Sequence, residues 1–138
     1  MKTIHPLDLD AKIQAHEAIE ILDLRPRAQF EKRHVHGSHS LPFDEFGLAS
    51  FIHCRELPLS APLYLVSQKG GLARLVADGM KDRGFDNLIV LEGGLENWVR
   101  SGLAMDRLPG FGTWLLEHSH RLLHMEVVTE LRAIGAHP

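Results

Sequence analysis

Three short apolar runs constrain this chain more than anything else in it: IEILDL at 19–24, LYLV at 63–66 and NLIVL at 87–91. None is long enough for a self-standing helix, and none alternates apolar with polar residues as a half-exposed strand does. Such runs read as strands covered on both faces. The stretches between them carry helical patterns. Leu9, Ile13 and His16 share one face of a helix over Leu7 to Ala15, and PRAQFEKR places Pro26 at a first helical position. FDEFGLASFIHCREL reads as a further helix. Another runs from about Gly71 to Arg83 and stops at Gly84, and LENWVRSG stops at Gly102. Ile4 begins a short strand, and SHSLP supplies one more, closed by Pro42. Strands that alternate with helices pair in parallel, so the expectation is an α/β fold with helices on both faces of a parallel sheet. Sites in such sheets lie beyond the carboxyl ends of the strands, where Asp23, Ser67 and Glu92 should gather.

Charge and cysteine content narrow the function classes. With 15 basic and 18 acidic side chains the net charge is −3, which argues against a nucleic-acid partner. No apolar run approaches the roughly 20 residues that span a bilayer, so no membrane role is expected. The first 20 residues are polar and periodic, unlike a secretory signal. A lone Cys54 cannot form an internal disulfide, which suits a reducing cytoplasm, the expected location.

Three segments, in order and at matching spacing, resemble the rhodanese family over about residues 3 to 105. In ILDLRPRAQFEKRHVHGSHSLP the residues Asp23, Arg25, Phe30, His34, Gly37 and Pro42 follow the family's first signature. GFDNLIVLEGGLENWVRSGLAM is similar to its closing segment almost position for position. The third segment is the family's active-site loop, and there the chain departs from the pattern. The family loop runs Cys-x-x-Gly-x-Arg and then a small residue; here it runs Ser67, Gln68, Lys69, Gly70, Gly71, Leu72, Ala73. Gly70 and Ala73 fit, whereas serine replaces the cysteine and leucine the arginine.

Sulfur transfer needs a thiolate that accepts a sulfane sulfur and holds it as a persulfide. A serine oxygen is no equivalent carrier, and it needs a neighbouring base even to become nucleophilic. The loop contains no histidine or carboxylate. The resemblance therefore implies a rhodanese-like domain without its catalytic thiol, acting as a binding or regulatory module for a protein partner or a small anion, with no cofactor. Residues 68–73 of its loop would form an anion cradle into which the Ser67 hydroxyl bonds, with Asp23, Arg25 and His34 in support, or else a collapsed loop filled by the Leu72 side chain. Lys69 reads as an exposed turn lysine or as a contact to that anion. If Ser67 is instead an engineered replacement that traps a substrate, the chain is a thiosulfate or persulfide sulfurtransferase acting through a cysteine at position 67. The altered Leu72 weighs against that alternative, since a trap would leave the arginine alone.

Cys54 sits in a helical stretch remote from the loop and reads as a small buried residue rather than a substitute nucleophile. Ten histidines invite a metal reading. His34, His36 and His39 belong to the turn pattern, however, with His34 as a structural hydrogen-bonder. His120 and His124, one helical turn apart, have only Glu117 nearby. No metal site is expected. After residue 105 a linker, 106–112, leads to a single helix over 113–138, capped by Thr113 and stopped by Gly135. Its stripe of Leu116, Leu123, Val127, Leu131 and Ile134 must be covered by its own domain, a homodimer seam or a partner's groove.

Overall fold

The apolar runs become the centre of a five-stranded sheet in which every pairing is parallel. A computed structural model describes residues 1–43, 47, 48, 50, 51, 60–85 and 87–107. In chain order these form β1 (Lys2–Ile4), α1 (Pro6–Gln14), β2 (Glu20–Asp23), α2 (Arg27–Lys32), β3 (His39–Ser40), β4 (Leu63–Val66), α3 (Gly71–Lys81), β5 (Leu88–Leu91) and α4 (Gly94–Arg100). The strand order is β1-β5-β4-β2-β3. The strand that leads into the loop at 67–73 is therefore the middle one.

Each central strand splits its side chains between two cores by simple alternation. Leu22, Leu24, Leu63, Leu65, Leu88 and Val90 face one side and pack with Ala73, Val76, Ala77 and Met80 of α3. Ile21, Tyr64, Val66 and Leu91 face the other and pack with Leu9 of α1 and Leu95 and Trp98 of α4. A strand with an apolar layer on each side leaves little room for polar residues, which is why LYLV and LIVL are unbroken and the buried Asp23 comes only at the end of β2. Trp98, 1% exposed, donates its indole N–H to the Ala104 carbonyl at 3.1 Å, so the largest core side chain leaves no polar atom stranded.

Element ends follow local chemistry. Pro6 rather than Leu7 opens α1, because a first-turn residue loses nothing by lacking an N–H, and the His5 ring accepts from the Leu7 N–H at 3.1 Å. The α3 helix ends at Lys81, two residues short of the expected Arg83, where Gly84 turns at φ +93°. SHSLP contributes only two paired residues. Its edge position and Pro42, which has no N–H to donate, limit the ladder. Residues Met1–Arg107 form one compact unit. Cys54, most of the expected helix at 43–57, and the tail with its linker end and helix at 113–138 lie outside the described residues.

Candidate functional site

Ser67 follows β4 directly, and the chain then curls through Gln68, Lys69 and Gly70 into α3. Gly70 takes φ +94°, a left-handed turn that glycine enters without steric cost. The curl brings two backbone N–H groups onto one atom: Gly70 and Ala73 donate to Ser67 Oγ at 3.1 and 3.3 Å. Ser67 is 3% exposed, and no histidine or carboxylate bonds its hydroxyl among the described residues. Gly71 and Leu72, first-turn residues of α3, keep N–H groups without an intrahelical acceptor. Gln68, Lys69 and Gly71 form the exposed rim of the turn.

The Leu72 side chain does not fill this curl. It packs against the α3-side core and lines a small cavity with Phe43, Leu75 and Val76 on the flank of that helix.

A second backbone segment supports the curl from beneath. Gly93 and Gly94 turn at φ +72° and +62°, and Leu95 and Glu96 donate their N–H groups to the Ser67 and Gln68 carbonyls, both at 3.0 Å. The contact is so close that a Cβ on Gly94 would stand 2.4 Å from the Ser67 carbonyl oxygen, 2.6 Å from the Gly70 nitrogen and 2.7 Å from the Gln68 oxygen. Only glycine permits that approach.

Asp23 ends β2 fully buried, and its carboxylate receives the Arg25 guanidinium through both oxygens, Nη2 to Oδ2 at 2.8 Å and Nε to Oδ1 at 3.0 Å. Arg25 Nη2 also donates to the Arg33 carbonyl at 2.6 Å, so the buried pair ties the end of β2 to the end of α2. Saturation of the carboxylate by a planar fork is what makes burial of two charges tolerable. His34 bonds the Phe30 carbonyl through Nδ1 at 2.8 Å and stacks on the Phe30 ring. Its backbone pairs with Asp106 in both directions at 2.8 Å, and the His36 ring bonds the Asp106 carboxylate at 2.6 Å. These ring contacts account for His34 and His36. Among the described residues no group of three histidine, cysteine or acidic side chains is placed to hold a metal.

Glu92 follows β5 at the same sheet edge, yet its side chain is exposed and makes no hydrogen bond among the described residues. The edge is bordered instead by an open groove of about 740 Å³ that reaches Gln68. Lys32 and Arg33 line it from α2 and the residue after it, and Leu95, Glu96, Val99 and Arg100 line it from α4. Sequence reading missed this groove, because its basic residues come from two distant segments with no shared local pattern. The Gly93–Gly94 support was visible only as part of the closing segment's resemblance.

A tight turn after the middle strand, at the carboxyl ends of a parallel sheet, defines an α/β domain with its candidate site in the usual place for such folds. This chain belongs to the rhodanese-like domain family, whose model matches residues 5–101. It is 31% identical over 78 residues to the thiosulfate sulfurtransferase GlpE of Pseudomonas fluorescens, covering 56% of this chain and 68% of that protein. It is 27% identical over 110 residues to the adenylyltransferase and sulfurtransferase UBA4 of Meyerozyma guilliermondii, covering 70% of this chain. There the match spans only 26% of the relative's length. Among solved structures, the rhodanese-like domain of the Anabaena protein Alr3790 superposes with a TM-score of 0.66 at 21% identity, over 78% of this chain and 80% of that one. No helix among the described residues is long and apolar enough to cross a membrane.

Proposed function

We propose that this chain is a rhodanese-like binding or regulatory module, in which the loop that carries sulfur in catalytic relatives instead recognises an anion or a partner's carboxylate. One observation carries the reading. The atom at the focus of the loop is a hydroxyl oxygen that accepts from Gly70 and Ala73 and has no base bonded to it among the described residues. A hydroxyl so placed organises the turn but offers no thiolate for a persulfide. The first-turn N–H groups of α3 and the exposed rim of Gln68, Lys69 and Gly71 remain to receive negative charge. Asp23, Arg25 and His34 serve as the supports of that loop, and the cytoplasm is the proposed compartment, on the strength of the single cysteine.

The second reading is a thiosulfate or persulfide sulfurtransferase with a cysteine at position 67. The same two N–H donors favour it, since they would stabilise a thiolate as readily as they hold a hydroxyl oxygen. Incubation with thiosulfate followed by intact mass measurement separates the two. The protein as sequenced should gain no mass; a stable gain of one sulfur atom defeats the binding reading.

A further inference from the structure

Lys32, Arg33 and Arg100 meet in one groove, all three exposed and none with an ion-pair partner among the described residues. Arg25 lines the same groove but is neutralised by Asp23. Glu96 is the only carboxylate in the lining among the described residues. It stands one helical turn from Arg100, the usual spacing for a helix ion pair, and forms none among the described residues. The groove thus carries an excess of uncompensated positive charge on a chain whose net charge is −3.

Charge is not its only character. Val99, 50% exposed, projects from α4 next to Arg100, and the half-buried Met105 adds apolar surface. A simple inorganic anion would use none of that apolar wall and little of a volume near 740 Å³, which is the size of a pocket for a much larger ligand (about 300–1,000 Å³). Among the described residues the lining has no aromatic ring on which a base could stack, which disfavours single-stranded nucleic acid.

We infer that the groove between α2 and α4 binds an acidic peptide segment of a partner protein, one that alternates carboxylates with apolar side chains. Its carboxylates meet Lys32, Arg33 and Arg100, and its apolar side chains cover Val99 and Met105. Gln68 lies at the junction of groove and loop, so a segment seated there runs past the rim of the anion cradle. The inference rests on the binding-module reading and names the partner class for that same edge of the sheet. Arg25 contributes indirectly, because its bond to the Arg33 carbonyl fixes the backbone from which the Arg33 side chain extends.

The test uses the full chain and a fluorescein-labelled nonapeptide alternating glutamate with leucine, followed by anisotropy at low and moderate salt. Binding that weakens with salt, at least about tenfold loss in the double variant Arg33→Glu, Arg100→Glu, and no binding of a lysine–leucine counterpart are expected. Both side chains are exposed and unbonded among the described residues, and overlaid circular-dichroism melts check the fold. Val99→Asp provides an independent variant that should also weaken binding. No binding of the acidic peptide, undiminished binding by the charge-reversed protein, or tighter binding of oligouridylate would each overturn the inference. None of these reads sulfur transfer, so a mass gain with thiosulfate would defeat the binding-module reading separately.

Discussion

Replacing Gly94 by alanine should damage this domain far more than the same replacement at Gly102, although both glycines sit in the left-handed region, at φ +62° and +78°. The conformational cost is common to both positions, about 1 kcal/mol for an L-residue held there. At Gly102 the added methyl meets nothing within 4 Å, so that cost is the whole effect. At Gly94 it meets three backbone atoms of the 67–70 turn at 2.4 to 2.7 Å, and backbone cannot swing aside as a side chain can. Separation to ordinary contact pulls the turn off α4 and breaks the Leu95 N–H bond to Ser67 and the Glu96 N–H bond to Gln68. Each lost buried hydrogen bond costs about 1 kcal/mol or somewhat more. The expected destabilisation is therefore about 3–4 kcal/mol for Gly94→Ala and about 1 kcal/mol for Gly102→Ala, read from urea unfolding followed by far-ultraviolet circular dichroism. Equal losses in the two variants would refute the claim that backbone contact beneath the loop, rather than the glycine torsion, sets the requirement.

Removal of one member of the buried Asp23–Arg25 pair should be worse than removal of both. Arg25→Met strands a carboxylate with no exposure and should cost about 3–5 kcal/mol, whereas Asp23→Leu with Arg25→Met should recover most of that loss in the same unfolding assay. Ser67→Cys should place a thiol under the Gly70 and Ala73 N–H groups and yield weak thiosulfate:cyanide sulfurtransferase activity, with clearly more when Leu72→Arg is added. Equal activity of the single and double variants would show that Leu72 is not a second lesion.

The sequence alone determined the layered α/β architecture. Unbroken apolar runs such as LYLV require an apolar layer on each side, and period-two alternation then assigns Leu63 and Leu65 to one core and Tyr64 and Val66 to the other. Gly84 and Gly102 marked helix ends because their torsional freedom acts within a few residues of chain, whereas the opening of α1 at Pro6 was missed by one residue. The position of the turn after a central strand was legible too, since Ser67, Gly70 and Ala73 lie within seven residues of chain and their hydrogen bonds close inside that span. Tertiary structure decided what is assembled from distant segments. The strand order put β4 between β2 and β5, and only that order lets the Gly94 backbone touch Ser67 and brings Arg100 beside Lys32 and Arg33. Glu92 marks the limit of the strand-end rule: the rule places a residue at an edge, and the exposed side chain stays out of the site. Hydrophobic period and torsional preference are properties of a local stretch of chain. The meeting of exposed charges from two separate helices carries no local energy that a sequence pattern could record, and it arises only once packing has fixed which elements are neighbours.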